Sequence, residues 1–170
     1  IVWVLTVNRK RLALLFDNDN AWIRPFFDGL SHENFDVLFE TSQSNVTGCD
    51  VVILLGCTKL MSKQFLKKNK LTLVVHESDL PKGKGFAPVQ WQILEGKERL
   101  PICLLKVVEW ADEGDIVLKS KFFVPKTSLY SEIREAQGQA SRKLVEQFLM
   151  GYPEYASIKQ AGKSTTYSRR

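Results

Sequence analysis

Apolar residues in this chain fall in short runs separated by polar turns, and the runs alternate with stretches of helical spacing. The segments LALLF at 12–16, FDVLF at 35–39, DVVILLG at 50–56 and LTLVV at 71–75 have strand length and strand composition. The run at 50–56 is apolar on both faces, as a strand inside a parallel sheet requires. After the first run, DNDN at 17–20 is a turn and helix-cap signal. Trp22, Ile23, Phe26, Phe27 and Leu30 then repeat at helical spacing, with Pro25 close enough to the helix start to be tolerated. Residues 41–48 read as a polar loop, and Leu60, Met61, Phe65 and Leu66 fit a helix running into KKNK at 67–70. Residues 101–108 and 116–124 predict two further strands, joined through 109–115 as a hairpin on one edge. Leu129, Ile133, Ala136, Ala140, Leu144, Val145 and Phe148 form the apolar stripe of a long terminal helix, stopped by Gly151, Tyr152 and Pro153. The tail at 158–170 is polar.

Strands alternating with helices predict an α/β fold: a Rossmann-like, doubly wound, mostly parallel sheet, with a C-terminal hairpin and a long terminal helix. At 170 residues and 44% hydrophobic content, one domain covering 1–170 has enough apolar material for its core. No apolar run reaches membrane-spanning length, so neither a spanning segment nor a membrane partner is expected. Residues 1–7 are apolar but lack a basic start and a small-residue cleavage site. That makes 1–8 a poor signal peptide, and an extra strand or a segment left by cloning is the reading. Cys49, Cys57 and Cys103 show no metal-ligand spacing, so no metal is expected, and their odd number suits reduced thiols in a cytoplasmic protein. A formal charge of +5 admits an anionic partner such as a phosphorylated substrate but falls short of a nucleic-acid footprint. A homodimer is compatible with all of this.

The chemistry concentrates in HESDLPKGKGFAPVQW at 76–91. His76 ends a predicted strand, at the carboxyl edge where open α/β sheets bind ligands. Pro81, Gly83 and Gly85 break regular structure and let backbone approach a ligand, and Pro88 can open a short helix through Leu94. Taken alone, His76 is equally consistent with a hydrogen-bonded structural histidine. Asp112, in the acidic turn between the two hairpin strands, is the second candidate; such turns are usually only solvated. Beside a histidine, however, a carboxylate raises its basicity and fixes its tautomer.

These residues resemble a known family. His76, Ser78, Leu80, Pro81 and Gly85 match the His, Ser-x-Leu-Pro and glycine loop of the 10-formyltetrahydrofolate-dependent formyltransferases. Asp112 and Gly114 match that family's Asp-x-Gly segment, at the interval from His76 expected of its single-domain members. LGCTKLMS at 55–62 resembles the strand end and loop that hold the pterin, and GKSTTYSRR at 162–170 a late segment of the same catalytic domain. The resemblance implies formyl transfer from the folate N10 to an amine, with His76 as general base and Asp112 orienting it. It implies a pterin grip from Thr58, Leu60 and Met61, with Gly114 and Asp115 in the acidic loop and Leu80 and Pro81 as an apolar wall. Substrate contacts would come from Ser78, Lys82, Lys84, Gly85, Phe86, Asn18 and Asn20.

One departure from the family is chemical. Its asparagine two positions before the histidine, an oxyanion donor, is Val74 here. Removing one such donor costs about 10²–10³ in rate. Ser78, Asn18, Asn20 or a backbone N–H could replace it; otherwise the chain binds folate or substrate without efficient transfer. For the acceptor, the modest charge and the end of the chain soon after the matched segment argue against tRNA, and glycine-free 17–22 argues against a phosphate loop. The expected acceptor is a small-molecule amine, most similar to a nucleotide-linked amino sugar of surface glycans. Glycinamide ribonucleotide, another amine, water (hydrolysis) or no acceptor are the alternatives. Lys63, Lys67, Lys68 and Lys70 read as a solvated helix end, Trp22, Phe26 and Phe27 as core, and Cys57 and Cys103 as buried small hydrophobes. Trp91 fits either helix packing or stacking on a substrate ring.

Overall fold

A computed structural model describes residues 8–169. In chain order it contains β1 (Lys10–Phe16), β2 (Phe35–Glu40), β3 (Val51–Leu55), α1 (Lys63–Lys68), β4 (Thr72–His76), β5 (Lys84–Gly85), α2 (Pro88–Leu94), β6 (Arg99–Lys106), β7 (Ile116–Phe123), α3 (Tyr130–Gly151) and β8 (Thr166–Tyr167). Six strands make one sheet in the order β2-β1-β3-β4-β6-β7. The pairs β1–β2, β1–β3 and β3–β4 are parallel, whereas β4–β6 and β6–β7 are antiparallel. The expected doubly wound sheet with an edge hairpin is therefore present. Its switch point lies between β1 and β3, and the ends of β1, β3 and β4 open on the same edge.

Alternation along the central strands divides the core into two faces. Leu12, Leu14, Ile53, Leu73 and Val75 meet Ile23, Phe27 and the α3 residues Leu144, Val145 and Phe148 on one face. Ala13, Leu15, Val52 and Leu54 meet Val46, Met61 and Phe65 on the other.

Three elements differ from expectation. The segment after β1 is a 3-10 helix at Asn18–Phe27, broken at Asn20 (φ −121°, ψ 34°) and ending before Leu30. Pro25 within it has no N–H to donate, so a regular α-helical ladder cannot run through. α1 begins only at Lys63, because Ser62 caps it by accepting from the Phe65 N–H at 3.1 Å; Leu60 and Met61 stay in the preceding loop. The polar tail is ordered onto the body: β8 pairs in parallel with β5, and Tyr167 stacks on Trp91 at 5.8 Å between ring centroids. The reading of 1–7 as a strand lies outside the described residues, and Asn8 is irregular. Among the described residues no helix is long and apolar enough to cross a membrane.

Candidate functional site

His76 is the last residue of β4 and only 7% exposed. Its Nε2 lies 2.9 Å from the Gly83 carbonyl oxygen. That oxygen can only accept, so Nε2 carries the hydrogen and Nδ1 is the nitrogen left to exchange a proton. Nδ1 faces Asp112 Oδ1 at 3.5 Å, a charge contact longer than a hydrogen bond. The other carboxylate oxygen of Asp112 accepts from the Gly85 N–H at 2.9 Å. The 83–85 loop thus grips both members of the pair.

Asp112 has a left-handed backbone (φ 56°), a region aspartate tolerates better than most residues. Two positions on, a Cβ at Gly114 would overlap the Lys106 carbonyl oxygen, so only glycine fits. Gln160 Nε2 donates to the carbonyls of Asp112 at 2.6 Å and Gly114 at 2.9 Å. The acidic loop is therefore fixed from the tail side as well.

These groups border a cavity of about 560 Å³ along the strand ends. Opposite the His–Asp pair, Thr58 donates to Asp17 Oδ2 from both its N–H, at 3.1 Å, and its hydroxyl, at 2.7 Å. Those bonds hold the Asp17 carboxyl below the usual carboxylate range. Asn20 Nδ2 donates to the Gly56 carbonyl at 2.7 Å, tying the turn after β1 to the end of β3. From α3, Arg134 donates to Gln137 Oε1 at 2.9 Å, and Gln137 Nε2 donates to Glu77 Oε1 at 2.6 Å. The Arg134 guanidinium lies 4.2 Å over the Trp22 ring, whose buried Nε1 has no hydrogen-bond partner. Burial pushes the Cys57 thiol up to about 11 and Cys103 up to about 12, so both stay protonated near neutrality. Among the described residues no group of three or more His, Cys, Asp and Glu side chains is placed to hold a metal ion.

Of the residues singled out in the sequence, His76, Asp112, Thr58, Leu60, Met61, Gly85, Phe86 and Asn20 all line this cavity. The others do not. Leu80 is buried with Cys103, Leu105 and Ile116, because the hairpin strands close over it. Pro81 gives its carbonyl to the Thr165 N–H. Gly114 and Asp115 shape the acidic loop from behind, Asp115 through its carbonyl to the Lys106 N–H at 2.9 Å. Lys84 is buried and paired with Glu113 at 2.6 Å, and Ser78 and Lys82 line a second, smaller cavity. Asn18 is exposed and outside both.

Val74 presents its methyls to the main cavity and packs against both Leu54 and Leu105 clusters. Ser78 and Asn18 do not reach that cavity, and the Asn20 amide already serves Gly56. Trp22, assigned to the core, packs against it and also forms part of the cavity wall. Glu77, Arg134 and Gln137 were missed, although buried polar Gln137 and Ser141, four residues apart on an otherwise apolar helix face, were a readable signal. Trp91 is committed to Tyr167 and to the Ser168 carbonyl, 3.0 Å from its Nε1.

A doubly wound sheet with a buried histidine and a carboxylate at the carboxyl end of a central strand, facing a cavity at the switch point, defines a ligand-binding α/β domain. Residues 36–147 match the formyl transferase family, and the chain belongs to it. A methionyl-tRNA formyltransferase of Rickettsia felis is 26% identical over 127 residues, covering 74% of this chain and 42% of that protein. The chain thus spans about two fifths of the curated relatives it matches. Methionyl-tRNA formyltransferase from Clostridium thermocellum superimposes with a TM-score of 0.78 at 20% identity, covering 95% of this chain and 73% of that one. The formyltransferase PseJ from Anoxybacillus kamchatkensis, in complex with UDP-4,6-dideoxy-4-formamido-L-AltNAc and tetrahydrofolate, gives a TM-score of 0.62 at 16% identity, covering 92% and 85%. At these identities the two structures share the fold.

Proposed function

We propose that this chain carries the site of a cytoplasmic N-formyltransferase that moves a formyl group from 10-formyltetrahydrofolate to an amine. The observation that carries the reading is the His76–Asp112 pair, held by one glycine loop at the mouth of the main cavity. The residues fit the co-substrate. A volume of about 560 Å³ lies within the range of small-molecule sites, and the wall at 54–61 offers backbone groups beside apolar Leu60 and Met61. Thr58, Leu60 and Met61 would hold the pterin, with Trp22 and Trp110 as further apolar walls. When bound, the folate supplies the formyl group on N10.

The chain's own groups handle the protons. Gly83 fixes the hydrogen on His76 Nε2, which leaves Nδ1 to accept the proton lost by the attacking amine. Asp112 stabilises the imidazolium so formed across the 3.5 Å gap and is positioned to pass a proton onward to the departing nitrogen. Glu77, fixed by Gln137 beside His76, adds a carboxylate that favours an incoming amine over an anionic nucleophile.

The acceptor has two readings. A nucleotide-linked amino sugar is supported by the product held in the PseJ structure, and methionyl-tRNA by the curated relatives. Val74 supplies no oxyanion donor, so folate binding or hydrolysis without efficient transfer is the alternative outcome. Incubation with 10-formyltetrahydrofolate alone, with nucleotide-linked amino sugars and with methionyl-tRNA tests all three. Tetrahydrofolate release that requires one of the amines is the expected result, and that amine identifies the acceptor. Release without any amine, or binding without release, overturns the transferase reading.

A further inference from the structure

Behind the loop that holds His76 lies a second cavity of about 280 Å³, bordered by Ser78, Lys82, Lys97, Arg99 and Lys121. Gly83 separates the two cavities: it borders this one, while its carbonyl oxygen meets His76 on the other side. Four cations surround the opening. Lys97 is paired with Glu95 at 2.7 Å, but Lys82, Arg99 and Lys121 have no carboxylate partner among the described residues. The acid on the same wall, Asp79, is taken by Lys119 at 3.1 Å. Tyr167 also borders the cavity, and its hydroxyl donates to Glu95. Basic side chains alone would mark only a solvated surface. Ser78 adds an independent sign: it is 2% exposed, and its Oγ has no hydrogen-bond partner among the described residues. A buried hydroxyl left unpaired is costly unless something polar arrives to meet it.

We propose that this second cavity binds a diphosphate-type anion, with Arg99, Lys121 and Lys82 neutralising its charge and the Ser78 hydroxyl donating to one of its oxygens. Arginine and lysine arranged around a concave site suit phosphate oxygens, and the excess of cations over free carboxylates supplies the attraction. The site is separate from the reaction cavity and needs no assumption about the reaction. The two share no lining residue, but Gly83 borders the second cavity and its carbonyl holds His76, so an occupant would touch the loop that orients His76 from behind.

Calorimetric titration of the full chain with inorganic pyrophosphate at low salt tests this, with uridine diphosphate as a second arm. Saturable one-to-one binding is expected. Arg99→Ala and Lys121→Ala should each weaken it about tenfold, the effect of losing one charge-assisted contact. Ser78→Ala should weaken it less. Equal affinity for both probes assigns the free ion as sufficient ligand; tighter binding of uridine diphosphate assigns a phosphorylated nucleoside. Both results support the site. Absence of saturable binding, or affinity unchanged in the Arg99→Ala, Lys121→Ala double variant, overturns it. Both substitutions are at exposed positions on β6 and β7, so the fold tolerates them and a thermal melt verifies it.

Discussion

Asp112 does two jobs with one carboxylate: one oxygen holds the Gly85 N–H and the other faces His76 Nδ1. At this scale the sequence was informative where a residue type is tied to its chemistry. A histidine at a strand end and an aspartate before glycine could both be recognised, along with Thr58 and Asn20 on the opposite wall. It was uninformative where the side chain's direction decides. Lys84 turned inward to Glu113, Leu80 went under the hairpin, and Trp22 faces the cavity while it packs against the core, none of which spacing encodes. Asp17 provides a residue-scale test. Its carboxyl is lowered chiefly by the Thr58 side-chain hydrogen bond. The stabilisation this gives is fully present above the unfolded carboxylate's range and is lost as pH falls through the lowered folded value. Thr58→Val should therefore be less stable than wild type at neutral pH, and the gap should close on acidification. Denaturant melts across pH check this; a gap independent of pH would remove the assigned cause.

At the scale of elements, strands and the long helix were legible because apolar periodicity reports burial directly: β3 and α3 sit where their patterns place them. Short pieces were not. The 3-10 character of Asn18–Phe27 depends on Pro25 and the break at Asn20, and the two-residue pairing of β5 with β8 joins residues some 80 positions apart. No local pattern announces such a contact. The acidic loop between β6 and β7 is equally dependent on backbone geometry. Gly114→Ala places a methyl group against the Lys106 carbonyl, so the loop must shift. Overpacking of this kind costs about 1–3 kcal/mol, and a displaced Asp112 would lose turnover as well. A lowered thermal midpoint together with lost activity is the expected result, and an unaltered midpoint would contradict the clash with the Lys106 carbonyl.

On the scale of the whole molecule, the strand order delivers the site. The turns after β1 and β3 and the last residue of β4 converge on one edge, while the hairpin and tail supply Asp112 and the Gln160 hydrogen bonds that hold its loop. The alternation of strand and helix patterns predicted the class of fold, and the net charge permitted an anionic ligand; Lys82, Arg99 and Lys121 gather part of that charge around the second cavity. The acceptor was the least legible feature. It depends on which molecule fills the mouth of the main cavity, and neither charge nor spacing specifies that. In the proposed reaction His76 and Asp112 move the protons of a formyl transfer. The most direct test is the rate of tetrahydrofolate release from 10-formyltetrahydrofolate, with the amine that supports turnover, in wild type and in Asp112→Asn. A fall of about 10²–10⁴, with an unchanged thermal midpoint, is expected. A rate near that of the wild type would contradict it.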